Sequence, residues 1–89
     1  MILNLKKFGE ILTSRPEGRE AALSSLAYDI DVKKTKDLKL NFDGILVMTP
    51  SWLSEFVQTL KEKGHLTVGF LPSDNPTVTS SIEIIESEI

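Results

Sequence analysis

A chain of 89 residues with 40% hydrophobic and 26% charged residues can form one domain with a single core and is too short for two. The net charge is −3, and the basic cluster of Lys33, Lys34 and Lys36 lies among aspartates, which argues against electrostatic binding to nucleic acid. No cysteine is present and His65 is the single histidine, which excludes thiolate zinc sites, a cysteine nucleophile and disulfides. We expect one domain over residues 1–89 without a metal site.

The sequence also argues against membrane insertion and catalysis. No apolar stretch approaches the roughly 20 residues that span a bilayer, and the first residues lack the charge order and apolar length of a signal peptide. The five glycines are scattered singly, so the chain has neither a phosphate-cradling loop nor a nucleophile elbow. We therefore expect a cytoplasmic protein that is not an enzyme and that uses no cofactor.

The first half of the chain predicts a strand, a helix and a second strand. Apolar residues at 2–5 indicate the first strand. Arg-Pro-Glu at 15–17 indicates a helix start, with proline at the first helical position, and the apolar spacing that follows predicts a helix over about 16–30. The second strand is indicated by three alternating apolar residues, Leu38, Leu40 and Phe42.

Asp43-Gly44 leaves two interpretations of the middle of the chain open. Asp-Gly between apolar runs is a strong signal for a β-hairpin, which would join residues 38–42 to residues 45–48. Residues 45–48 are continuously apolar, however, and Thr49-Pro50 follows at once, which favours a connection beneath the sheet edge into a helix. We favour the connection.

The second half predicts a helix, a strand and a helix. Thr49 is expected to cap a helix that begins at Pro50 and is closed by the glycine at position 64. Alternation over 66–70 predicts a third strand. Apolar residues at helical spacing predict the last helix: Val78, Ile82, Ile85 and Ile89. Residues 82–84 nevertheless alternate as they would in a strand. The order β-α-β-α-β-α predicts an α/β fold with a mainly parallel sheet and most helices on one face.

Five segments together form a recognisable set: Phe8-Gly9, Ser-Arg-Pro-Glu-Gly-Arg-Glu at 14–20, Leu-Asn-Phe-Asp-Gly-Ile at 40–45, Thr49-Pro50-Ser51-Trp52 and Asp-Asn-Pro at 74–76. The set covers nearly the whole chain and resembles the STAS-like domains of unknown function, small bacterial relatives of the anti-sigma-factor antagonists. The resemblance implies an open, mixed sheet with helices packed on it, a role in protein–protein regulation, and no catalytic residues.

The resemblance also implies a site of regulation. In the antagonists, a serine at the start of the second helix is phosphorylated by a histidine-kinase-like ATPase, and that serine corresponds to Ser51. The flanking family residues are replaced here by Thr49, Pro50 and Trp52. A phosphate at this position would bring about −1.5 to −2 charges to the positive end of a helix, which is locally favourable. Ser51 is therefore a candidate phosphorylation site, the alternative being an ordinary serine that supports the helix start.

The leading hypothesis is a regulatory module that docks a protein partner, with a histidine-kinase-like ATPase as the candidate class, through residues 49–55. Thr49, Trp52 and Glu55 are the candidate partner contacts, and Trp52 is more readily interpreted as part of the core. Arg15 is a candidate anion-binding residue, although an arginine on a solvated helix face is the simpler interpretation.

Two alternatives remain open from the sequence. One is a small-ligand or nucleotide sensing domain without catalysis, which would use Arg15 and the helix N-termini as anion sites. The other is self-assembly through the outer strand at 2–5. The sequence leaves the oligomeric state open.

Overall fold

The computed structural model describes residues 1–87, and Glu88 and Ile89 lie outside the described residues. In chain order the helices and strands are β1 (Ile2–Asn4), β2 (Ile11–Leu12), α1 (Arg15–Ser24), β3 (Asp37–Asn41), β4 (Val47–Met48), α2 (Pro50–Gly64), β5 (Thr67–Phe70) and α3 (Pro76–Ser87). A 3₁₀ helix at Leu5–Phe8 and a π-helical turn at Ser25–Asp29 complete the set.

The strands form two parallel sheets. The main sheet has the order β1-β3-β5, and β2 pairs with β4 in a separate two-stranded sheet. The predicted β-α-β-α-β-α order and mainly parallel layout are confirmed, and each strand pair within residues 1–87 is parallel. The helical connections between the main-sheet strands follow from this, because parallel neighbours cannot be joined by a short turn.

The helices cover one face of the main sheet and leave the other open. In β3, Leu38 and Leu40 are fully buried, whereas Lys39 between them is exposed. The register places Lys39 beside Ile2 and Gly69, so these three positions mark the open face. The core therefore lies between the other face of the sheet and the helices.

The helix α2 begins at the residue that the sequence predicts. The Thr49 hydroxyl accepts a hydrogen bond from the Trp52 N–H at 3.3 Å, and Pro50 follows as the first helical residue. The helix ends at Gly64, as predicted, but His65 and not the glycine adopts the left-handed conformation, with φ of 54°. His65 is an exposed turn residue. The buried residues of α2 are Trp52, Leu53, Phe56, Val57, Thr59, Leu60 and Gly64.

The helix predicted over about 16–30 changes its hydrogen bonding before it ends. Ser14 caps α1 by accepting from the Glu17 N–H at 3.3 Å, and Pro16 occupies the second helical position where the first was predicted. From Ser25 the chain widens into a π-helical turn, which the Ile30 N–H closes by donating to the Ser25 carbonyl at 2.9 Å. Ile30 is buried immediately after this turn.

The strand β4 shows that the hairpin interpretation is wrong. Val47 and Met48 pair in parallel with β2, and not antiparallel with β3 as a hairpin requires. Gly44 has φ of 86°, a conformation that favours glycine, and it turns the chain away from β3. The favoured connection toward α2 is confirmed, with a two-residue strand inside it that the sequence analysis did not predict.

The last element is a helix, as favoured, and its predicted position Ile89 lies outside the described residues. Asn75 fixes the start of α3 against β4: its amide donates to the Ile45 carbonyl at 2.7 Å and to the Leu46 carbonyl at 3.0 Å, and its oxygen accepts from the Thr77 N–H at 2.9 Å. The Thr77 hydroxyl in turn accepts from the Met48 N–H at 3.0 Å.

Within residues 1–87, no helix has the length and apolar character needed to cross a membrane.

Candidate functional site

The two-stranded sheet brings the starts of α1 and α2 together. The strand β2 leads through Thr13 to the cap of α1, and β4 leads directly to Thr49, the cap of α2. The Thr49 N–H donates to the Leu12 carbonyl at 3.1 Å, and the Thr49 hydroxyl donates to the Thr13 carbonyl at 2.7 Å. Two capped helix N-termini, each with a partial positive charge, therefore lie beside each other.

A glycine allows the backbones of these two helices to touch. A Cβ atom added at Gly18 of α1 would lie 2.4 Å from the Trp52 carbonyl oxygen and 3.1 Å from the carbonyl carbon. Because these are backbone atoms, no rotation of a side chain could relieve the clash. The first turn of α2, which carries Ser51, is thus held directly against α1.

Trp52 belongs to the core. Its side chain is 1% exposed, and its ring stacks on Phe56 with a centroid distance of 4.9 Å and lies 6.2 Å from the ring of Phe8. The core interpretation of Trp52 is confirmed. Its alternative interpretation as a partner contact is corrected, because a side chain this deeply buried offers no area to a partner.

Glu55 and Arg15 are engaged with each other across the two helices. The Arg15 guanidinium donates to the Glu55 carboxylate at 3.2 Å, and Arg19 approaches the second carboxylate oxygen at 3.9 Å. The Glu55 side chain is 20% exposed and that of Arg15 is 57% exposed. Glu55 thus links α2 to α1, and the Arg15 guanidinium already contacts a carboxylate of the same chain. No observation here favours the ligand-sensing alternative that the sequence left open.

Ser51 and Thr49 lie at the surface of this junction and are both half-buried. Thr49 uses its hydroxyl twice, as an acceptor for the cap of α2 and as a donor to β2, so its structural role is clear. Ser51 is the second residue of α2, where a phosphate would lie at the positive end of the helix dipole. The Trp52 and Leu53 N–H groups of this turn already donate to Thr49. Part of its surface is open to solvent, and its role as a phosphorylation site stays a prediction.

Three exposed apolar residues that the sequence did not predict lie at this small sheet, and we name them the β2–β4 patch: Ile11, Leu46 and Val47. Ile11 is 62% exposed, Leu46 60% and Val47 37%. Ile11 and Val47 are register partners in the small sheet. Since side chains alternate along a strand, Thr13 and Thr49 point to the same side as Ile11 and Val47. The Ile11–Val47 pair therefore lies on the side of the two helix caps, and Leu46 directly precedes β4.

The pairing of β2 with β4 could not be read from local sequence, but one signal was present. The run 45–48 is too apolar for a surface connection, and in a short strand one of its side chains has to point outward.

Within the part of the chain that the structure describes, no three histidine or acidic residues are grouped as metal ligands. No protein-family model, curated protein or solved structure matches the chain. The family resemblance thus rests on the segments of its own sequence.

Proposed function

We propose that this protein is a STAS-like regulatory module that docks a protein partner through the β2–β4 patch and the first turn of α2. The observation that carries the proposal is the patch itself, three exposed apolar side chains at the junction of two capped helices. Contiguous apolar surface bordered by polar groups is typical of a protein interaction site. Polar residues adjoin the patch along the chain: the exposed Glu10, whose carbonyl accepts from the Leu46 and Val47 N–H groups, and Thr13 and Thr49 at the ends of the two strands.

The size of the molecule limits how such a partner can bind. An interface of ordinary size covers about 800 Å² per partner, which is about 15% of the 5219 Å² accessible surface of the described chain. An area of this size, centred on the β2–β4 patch, would take in Ser51 at its edge. Apolar side chains at the centre would supply most of the binding energy, and the helix starts would supply hydrogen-bonding and charge specificity.

Ser51 is the proposed switch within this surface. Phosphorylation would add about −1.5 to −2 charges at the edge of an apolar contact, where they would have to be desolvated or would repel an acidic partner. The N-terminus of α2 would stabilise the modified serine in the unbound protein. The candidate partner class, supported by the family resemblance, is a histidine-kinase-like ATPase, and the proposal places the module in the cytoplasm as a non-enzymatic component.

The switch is tested by mass spectrometry on the protein isolated from its native cells. The proposal expects a mass increase of one phosphate that peptide mapping assigns to Ser51. We also expect Ser51→Glu to abolish binding to the ATPase while Ser80→Glu, an exposed serine of α3, leaves it unchanged. A phosphate mapped to another residue, or full binding by Ser51→Glu, would contradict the switch.

The docking surface is tested separately with charged substitutions at matched exposure. Leu46→Asp, at a residue 60% exposed, should weaken partner binding at least about tenfold, because a carboxylate would be buried in the apolar centre. Ile2→Asp, at a residue 57% exposed on the open face of the main sheet, is the control and should bind normally. Equal binding by the two variants would refute the proposed surface.

A further inference from the structure

We propose a second binding site, in the groove between β5 and α3, that accepts an extended segment of a partner protein as an added strand. Every second side chain of the segment would enter the groove, and these side chains would include apolar residues and a lysine or arginine. The groove shares no residue with the β2–β4 patch, so this inference stands or falls separately from the proposed function.

The strand β5 has a free edge. It is the last strand in the order β1-β3-β5, and no strand within residues 1–87 pairs with its outer side. Toward β3, the Thr67 N–H donates to the Lys36 carbonyl at 2.8 Å and the Leu71 N–H donates to the Leu40 carbonyl at 2.9 Å. Backbone groups alternate in direction along a parallel strand, so the N–H and C=O groups of Val68 and Phe70 point to the outer edge. Such an edge is a template for strand addition.

The side chains of the same two residues face an apolar groove. A cavity of 540 Å³ is bounded on one side by β5 and the residues 71–73 that follow it, and on the other by one face of α3: Thr79, Ile82, Glu83 and Glu86. Val68, Phe70 and Ile82 are half-buried, so the helix covers the strand incompletely. An edge strand beside a helix with an apolar cleft between them is an arrangement that binds extended peptides, in which every second side chain enters the cleft.

The charges at the groove identify the kind of peptide. Glu83 and Glu86 line it from α3 and both are exposed. Lys61 lines the neighbouring 430 Å³ cavity on the α2 side together with Glu86, whereas Glu83 borders the groove between β5 and α3 and not that cavity. Only side chains on the groove side of an added strand can reach α3, so a lysine or arginine among these would face the two glutamates. A second copy of this chain fits less well, since a symmetric pairing of two β5 edges would bring the glutamates of both copies together.

The experiment is a selection of displayed random heptapeptides on the whole protein, followed by affinity measurements on the enriched sequences. We expect enriched peptides to carry apolar residues and a lysine or arginine at positions two apart, which lie on one face of a strand. The double variant Glu83→Lys/Glu86→Lys should bind them about tenfold more weakly or worse, because like charges would then face each other. The double variant Glu20→Lys/Glu62→Lys makes the same charge change at exposed residues of α1 and α2, and it should bind normally.

Amide hydrogen exchange with the selected peptide shows whether a strand has been added. The Val68 and Phe70 amides should exchange more slowly in the complex, whereas the Thr67 and Leu71 amides, already bonded toward β3, should change little. The proposal is overturned if no peptide is enriched, if the glutamate variant binds as well as its control, or if the slowed amides lie elsewhere. Slower exchange of Val68 and Phe70 with rising protein concentration alone would identify a second copy as the occupant and would also overturn it.

Discussion

Replacement of Gly18 by alanine should loosen the junction between α1 and α2. A methyl group at this position would lie 2.4 Å from the Trp52 carbonyl oxygen, and ordinary van der Waals contact begins at 3.4 Å. The two helices would therefore have to separate by about 1 Å at the first turn of α2, since the clash is with backbone and not with a flexible side chain. This is the turn that carries Ser51 and is capped by Thr49.

The size of the effect follows from two opposing terms. Overpacking of a close contact costs about 1–3 kcal/mol, and the upper part of this range applies where only backbone movement can relieve it. Alanine is intrinsically more favourable than glycine in a helix by about 1 kcal/mol, which offsets part of that cost. We expect Gly18→Ala to lower the free energy of unfolding by about 2 kcal/mol.

The assay is urea unfolding followed by the fluorescence of Trp52, which is the single tryptophan of the chain and is 1% exposed when folded. Gly64→Ala is the matched control, because its methyl group would meet side-chain atoms of Leu26 and Leu66 that can move aside. The control should stay within about 1 kcal/mol of the parent protein. If Gly18→Ala is as stable as the control or more stable, the close packing of the two helices is refuted.

Three further changes test the contacts that hold the site. Asn75→Ala removes the amide that bonds the Ile45 and Leu46 carbonyls and should lower the free energy of unfolding in urea by about 2–3 kcal/mol. The control Asn41→Ala removes an exposed hydrogen bond to Asn4 and should lower it by less than about 1 kcal/mol. Equal losses of stability would contradict the anchoring of α3 by Asn75. Thr49→Val should lower stability by about 1–2 kcal/mol through loss of the α2 cap, and an unchanged midpoint would refute that role. A double-mutant cycle of Arg15→Ala and Glu55→Ala should give a coupling below about 1 kcal/mol that falls with added salt, because the Arg15 side chain is open to solvent. A larger, salt-independent coupling would contradict this solvent screening.

Prediction from the sequence succeeded where structure is determined locally. The start of α2 depends on a threonine cap and a proline at the next position, and both act on the neighbouring backbone within one turn. The alternation of Leu38 and Leu40 likewise reports a strand with one covered face. The position of Ser51 in the first turn of a helix followed from the same local signals.

Prediction failed where structure depends on contacts between distant segments. The strands β2 and β4 have two residues each, which is too few to show the alternation of buried and exposed residues that indicates a strand. Their pairing joins Ile11 to Val47, and the whole of α1 and β3 lies between these residues in the sequence. The β2–β4 patch was missed for that reason. An asparagine directly before a proline is a local signal for a helix start, and Asn75 fits it. No local signal indicates that the Asn75 side chain bonds the carbonyls of residues 45 and 46.

The most direct test of the docking surface is photo-crosslinking in the native cells with benzoylphenylalanine at one position. Val47, the β4 residue of the β2–β4 patch and 37% exposed, is the test position, and Ile84 of α3, at 44% exposed, is the reference. The account predicts a specific crosslinked partner from position 47 that is absent from position 84 and is lost when Ser51→Glu is introduced. No crosslink from position 47, or the same products from both positions, would contradict the proposed regulatory docking surface.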